Sequence, residues 1–121
     1  MYAAKATPDR QRMDVRIDQA LTPDEFRELI DAVGKEAASL QPGWAAAVDL
    51  RGMWISDPFV NEQFRSLQDA LLSGKAGKIG TLLDSDSVKM RLWQAGAQTR
   101  SNTLTRRFHD PVQWERFLSE P

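Results

Sequence analysis

The sequence contains no cysteine, a single histidine and no long apolar run. Without cysteine, the chain has no disulfide, no thiol nucleophile and no thiolate metal site. The lone histidine, His109, argues against most zinc sites and histidine-base mechanisms. No stretch approaches the roughly 18 apolar residues that cross a bilayer, and the amino terminus lacks the pattern of a signal peptide. We therefore expect a cytoplasmic protein without a membrane span.

Neither sign of charge dominates the chain. Its 121 residues carry 16 basic and 17 acidic side chains, for a net charge of −1, and 41% of the residues are hydrophobic. These values are typical of a globular protein, and the length suits one domain that covers residues 1–121. The near-neutral charge also argues against a nucleic-acid partner, because such proteins present strongly basic surfaces.

One internal stretch, residues 75–107, is basic, with seven cationic side chains and two acidic ones. A stretch of this kind attracts phosphate or an acidic partner when its charges converge. A solvated surface is the simpler interpretation. The cationic residues are Lys75, Lys78, Lys89, Arg91, Arg100, Arg106 and Arg107.

The first elements have clear local signals. Met13, Val15 and Ile17 alternate with charged residues, which predicts a half-buried strand and, with the segment before it, a hairpin over residues 2–18. Thr22 and Glu25 have the spacing of a capping box, which predicts the start of a helix. Apolar residues at helical spacing extend this helix toward residues 42–43.

The rest of the chain alternates strands with helices. The segments 44–50 and 78–84 are apolar and end in polar residues, which predicts two central strands covered on both faces. Helices are predicted from residue 57 to 73, from 86 or 87 to 96, and after the cap residue Asp110, with a short edge strand over 104–108. We therefore predict an α/β fold with a mixed sheet of about five strands, flanked by about four helices.

This order of elements resembles a known family. The segment from Trp44 to Gly52, the strand that ends at Asp84, and the run from Arg107 to Asp110 look like those of small bacterial SpoIIAA-like proteins. That group is related to STAS domains and has been compared with CRAL-TRIO domains. The resemblance covers nearly the whole chain and implies the same fold and a non-enzymatic role.

The resemblance fails at one functional position. In anti-sigma antagonists of the STAS type, a partner kinase phosphorylates a serine in an Asp-Ser-Ser-Gly run. The aspartate of that run falls on Asp57, which Pro58, Phe59 and Val60 follow, so no hydroxyl stands at the acceptor position. Ser56 lies one residue before Asp57. We therefore expect no phosphorylation switch at this helix start.

Polar residues gather where the two predicted central strands end. Ligands of α/β sheets bind outside the carboxyl ends of parallel strands, near helix N-termini. We therefore place a candidate site for a ligand or partner there, with no catalytic residue, metal or cofactor assigned. Its members are Asp49, Arg51, Ser56, Asp57, Asp84, Ser85 and Ser87.

Two other interpretations of this group remain open. In the structural one, Asp57 and Ser87 cap helices and Arg51 pairs with Asp49 or Asp84. In the enzymatic one, Asp49, Asp57 and Asp84 serve a metal-dependent hydrolase or a phosphotransfer protein.

Trp54 completes the candidate site. It lies in a short segment, Met53 to Ile55, with three large apolar side chains between a strand end and a helix. Such residues in a loop are either tucked under the helix or offered to a ligand or partner. The leading hypothesis is thus a binding module for a partner protein, a second copy of the chain, or a small apolar or anionic ligand.

We predict that Trp54→Ala abolishes self-association or apolar ligand binding and leaves the fold largely intact. A large, stiff aromatic side chain contributes about 2 kcal/mol or more when a partner desolvates it. Chemical denaturation and native mass spectrometry test this prediction. A loss of several kcal/mol of folding stability would instead make Trp54 a core residue, and unchanged stability and mass would remove its role.

Overall fold

The protein forms a five-stranded mixed sheet with helices packed on both faces. The computed structural model describes residues 2–18, 21–52, 60–83 and 104–120. The strands are β1 (Tyr2–Thr7), β2 (Arg12–Ile17), β3 (Ala45–Asp49), β4 (Lys78–Leu82) and β5 (Leu104–Phe108). Within these residues the α-helices are α1 (Pro23–Ala37), α2 (Val60–Ser73) and α3 (Pro111–Ser119). None of these helices is long and apolar enough to cross a membrane.

The strands lie side by side in chain order, from β1 to β5. β1 runs antiparallel to β2, while β2, β3, β4 and β5 run parallel to their neighbours. The predicted α/β class, the amino-terminal hairpin, and the central positions of β3 and β4 are confirmed. The helix predicted to begin at Asp86 or Ser87 lies outside the described residues.

The two predicted helix caps that lie within the described residues are present. Thr22 Oγ1 accepts a hydrogen bond from the Glu25 N–H at 3.1 Å, and Glu25 Oε1 accepts one from the Thr22 N–H at 3.0 Å. The Asp110 carboxylate accepts one from the Val112 N–H at 2.9 Å. Helix α1 ends earlier than predicted, at Ala37, because the chain then turns through N–H to carbonyl bonds three residues apart.

The first face of the sheet carries the larger core. Met13, Val15 and Ile17 of β2 are buried there with Val48 of β3, against the apolar sides of α1 and α2. The alternation seen in the sequence of β2 is therefore the alternation between this core and the opposite face. Burial of this kind contributes about 1.5–3 kcal/mol for each large side chain.

The second face of the sheet is covered by α3. Ala45 and Ala47 of β3 and Leu82 of β4 are buried against Trp114 and the rest of the apolar side of this helix. β3 therefore buries both sets of its side chains, which explains why its sequence is apolar without alternation.

Helix α3 lies close to β4 at Gly80, which has no side chain. A Cβ atom at Gly80 would lie 3.0 Å from Cδ2 of Phe117 and 3.2 Å from Cδ2 of Leu118. The indole N–H of Trp114 donates a hydrogen bond to the Gly80 carbonyl at 2.8 Å. Together these contacts set the height of the helix above the sheet.

A buried arginine holds the first half of α3. Arg12, only 7% exposed, binds the Glu115 carboxylate in a bidentate manner, at 2.7 and 2.9 Å. It also donates to Asp14 at 2.8 Å and lies 5.8 Å from the centre of the Trp114 ring. The hydrogen bonds from Arg12 lower the pKa of Glu115, although partial burial opposes them.

We expect Val48→Ala and Leu82→Ala each to lower the free energy of unfolding by about 1–4 kcal/mol, since both leave a cavity in a closed core. Val112→Ala is the matched control, because Val112 is 66% exposed and the same truncation there should change stability by less than about 0.5 kcal/mol. Chemical denaturation measures all three. Losses no larger than that of the control would contradict the central positions of β3 and β4.

The Glu115–Arg12 pair predicts a loss of stability in acid. The folded state lowers the pKa of Glu115. The pair therefore stabilises the protein at pH values above the ordinary pKa of a glutamate, about 4.5. This contribution disappears as the pH falls through the lowered value. Glu115→Gln should therefore flatten the fall in unfolding free energy between about pH 5 and pH 3.

Gln113→Ala provides the control for this experiment: Gln113 is an exposed neutral residue of the same helix, so its replacement removes no titratable group and should leave the slope of stability against pH unchanged. Denaturant midpoints across the pH series give the slopes. Equal slopes in wild type and Glu115→Gln would show that the ion pair does not contribute to stability.

Candidate functional site

The carboxyl ends of the parallel strands hold two of the predicted site residues in a closed ion pair. The Arg51 guanidinium donates to both carboxylate oxygens of Asp49, at 3.1 and 2.9 Å, and the Arg51 backbone N–H donates to the same group at 3.1 Å. Burial raises the pKa of Asp49, but the hydrogen bonds from Arg51 outweigh it and hold the pKa below its ordinary value. The structure thus confirms the pairing of Arg51 with Asp49.

The sequence predicts that polar residues at the ends of β3 and β4 lie close together, which requires these two strands to be neighbours. β3 and β4 are adjacent and parallel, and the Leu50 N–H donates to the Leu82 carbonyl at 2.9 Å just where the two strands end. Six predicted members of the site lie outside the described residues, as does the helix start at which we expect no phosphorylation. They are Trp54, Ser56, Asp57, Asp84, Ser85 and Ser87.

A cavity of about 560 Å³ lies at the opposite end of the sheet. It lies there because α3 follows the last strand and returns across the sheet, so that the end of the helix meets the amino ends of the strands. Residues from both contribute to its wall. The lining residues are Arg10, Gln11, Gly43, Ala45, Gly77, Lys78, Arg106, Phe117, Leu118, Ser119 and Glu120.

Two glycines give the cavity a wall without side chains. A Cβ atom at Gly77 would lie 2.6 Å from the Gly43 carbonyl oxygen and 2.8 Å from its Cα atom. Gly43 itself has a φ of 96°, a conformation that other residues rarely adopt. The turns before β3 and β4 therefore pack backbone against backbone, and their N–H groups donate to Lys75 and Trp44 carbonyls.

Lys78 crosses the cavity wall to the end of α3. Its ammonium group donates to the Phe117 carbonyl at 2.7 Å and to the Glu120 carbonyl, and it lies 5.2 Å from the centre of the Phe117 ring. Carbonyls at a helix C-terminus have no partner within the helix and carry partial negative charge. Lys78 therefore satisfies these carbonyls and is held in one position.

Arg106 also lies near this ring, 5.7 Å from its centre. Gly80 is its register partner on β4, so Arg106 projects toward α3. Among the described residues no carboxylate pairs with its guanidinium. The cavity thus combines an aromatic ring with two cations next to it.

The sequence contained part of this second site. Lys78 and Arg106 belong to the basic stretch, but the simpler interpretation as a solvated surface gave no reason to bring them together. Their convergence at one cavity was missed. One signal was available, since Arg106 alternates in phase with Leu104 and Phe108 and is therefore expected on the same face of the strand as these apolar residues.

The site carries no sign of a metal centre in the part of the chain that is described. No group of three or more acidic, histidine or cysteine side chains comes together there. The cavity therefore offers the positive charges of Lys78 and Arg106 next to the apolar ring of Phe117.

The sequence matches no protein-family model, and no curated protein matches it significantly. Among solved structures, the chain is similar to an uncharacterized protein of the DUF3478 family from Shewanella loihica PV-4, which has a SpoIIAA-like fold. The TM-score is 0.69 at 12% sequence identity, and the match covers 98% of this chain and 92% of that one. The expected architecture is confirmed: this chain has a SpoIIAA-like fold.

Proposed function

We propose that the protein is a non-enzymatic binding module that holds a small ligand in the cavity at the amino ends of its strands. The cavity itself carries this proposal. Its volume of about 560 Å³ lies within the roughly 300–1,000 Å³ of small-molecule sites. It also combines apolar and charged groups, as such sites do.

The chemistry of the cavity favours binding over catalysis. A nucleophilic mechanism needs a nucleophile beside a general base. The lining as described contains no histidine, and its serine, Ser119, is the last residue of α3. Lys78 is occupied by two carbonyl groups of the helix end.

The geometry at the other end of the sheet does not favour the enzymatic alternative. A hydrolase or phosphotransfer protein that used Asp49, Asp57 and Asp84 would need Asp49 free for a metal or a proton. That carboxylate accepts three hydrogen bonds from Arg51. Asp49 is therefore better explained as part of a structural ion pair.

A regulatory role in the cytoplasm fits this proposal. The fold alone does not define a function, because one fold hosts many. A small binding module regulates through the difference between its ligand-bound and ligand-free surfaces. A partner protein or a second copy of the chain would recognise that difference. The same experiment tests both the ligand and self-association.

We expect the native mass spectrum of the purified protein to show a retained small ligand. Ser119→Trp should remove this extra mass, because Ser119 is exposed at the cavity and an indole there fills its mouth. Gln113→Trp is the matched control, as Gln113 is exposed on the same helix but does not line the cavity. This variant should retain the ligand.

Two results would contradict the proposal. A wild-type spectrum with only the polypeptide mass under gentle ionisation would mean that no ligand is held. Equal retention by Ser119→Trp and Gln113→Trp would place the ligand elsewhere. Circular dichroism of both variants confirms that they are folded, and the subunit count in the same spectrum reports self-association.

A further inference from the structure

We infer that the ligand of the amino-end cavity is a small organic anion with an apolar body, and that Arg106 and Lys78 bind its charged group. This inference rests on the proposed binding function and specifies the class of ligand.

The first argument is the state of Arg106. Among the described residues Arg106 has no carboxylate within 4.0 Å, as is also true of Arg10, Arg65 and Arg116. Of these four arginines, Arg106 and Arg10 line the cavity. Arg106 keeps its guanidinium beside an aromatic ring at the cavity wall, with its hydrogen-bond donors available to a ligand.

The second argument is the rigidity of Lys78. An ammonium group has three N–H donors, and two of them bind the Phe117 and Glu120 carbonyls. The third donor remains for a ligand. Because Lys78 is already ordered, an anion that binds it does not bear the entropy cost of fixing a long side chain.

The third argument is the apolar part of the wall. Phe117, Leu118 and Ala45 supply hydrocarbon surface, and the Gly43–Gly77 contact supplies a wall without side chains. An apolar body contacts these surfaces, while the charged end of the ligand meets the two cations next to the Phe117 ring.

The charge of the cavity lining favours an anionic ligand. Arg10 adds a third cation to the lining, against the single acidic side chain of Glu120. A guanidinium binds carboxylates and phosphates through paired, parallel hydrogen bonds. The recognised chemistry is therefore an anionic group with at least two oxygens, a carboxylate or a phosphate monoester, on an apolar carrier.

The test titrates the full chain with benzoate, phenyl phosphate and neutral benzyl alcohol, followed by NMR shifts of the backbone amides of Gly77, Lys78 and Ser119. We expect at least one anion to bind more tightly than benzyl alcohol and to shift these amides. Comparison of the two anions separates carboxylate from phosphate recognition. Binding should weaken as salt is added.

Arg106→Gln should weaken binding of that anion by about ten- to a hundred-fold, since it removes hydrogen bonds to a charged group. Arg107→Gln is the control, because Arg107 has the same charge but lies on the opposite face of the strand. It should leave the affinity within about two-fold of wild type, as expected for a charge outside the cavity.

Each failure has a separate meaning. Equal binding of benzyl alcohol and the anions, or equal affinity in Arg106→Gln and wild type, would overturn the anion inference and leave the binding function standing. If no probe shifts the cavity amides and the native spectrum shows no retained ligand, the binding function fails together with the inference.

Discussion

The close approach of α3 to β4 is the contact on which the core under α3 and the cavity at the amino ends of the strands depend. The absence of a side chain at position 80 favours it, because a Cβ atom there would lie 3.0–3.2 Å from side-chain atoms of Phe117 and Leu118, which would have to shift. Once the helix lies at this height, the Trp114 indole reaches the Gly80 carbonyl. The same approach closes the core on this face of the sheet and brings the helix end to the amino ends of the strands.

Two cations secure α3, and they do so in different ways. Arg12 binds the Glu115 carboxylate near the middle of the helix, while Lys78 binds backbone carbonyls at its end. Both come from the first residue of a strand, β2 and β4 respectively. The helix is therefore held to the sheet by polar contacts around an apolar centre, and the cavity lies beside the contact made by Lys78.

The two ends of the sheet consequently differ in their chemistry. At the carboxyl ends, Asp49 and Arg51 neutralise each other. At the amino ends, Arg106 has no carboxylate partner within the described chain, and the nearby helix end is satisfied by Lys78. General rules for α/β sheets favoured the first location as the site. The charges and the open volume favour the second.

Local patterns in the sequence determined the elements of this fold. The alternation of Met13, Val15 and Ile17, the capping box at Thr22 and the cap at Asp110 each depend on residues a few positions apart, and the structure confirms them. The apolar segments of β3 and β4 likewise indicated central strands. The pairing of Arg51 with Asp49 could be foreseen as one of two options because the two residues are close in the chain.

Only the tertiary structure decided where the cavity lies and which charges face it. Its wall joins Gly43 to Gly77 and Lys78 to Phe117, pairs more than thirty positions apart in the chain. Periodicity states which face of an element is apolar, but it does not state how closely two elements approach or which strand end a returning helix reaches. Those distances follow from packing, and they bring two cations of a basic stretch next to the same aromatic ring.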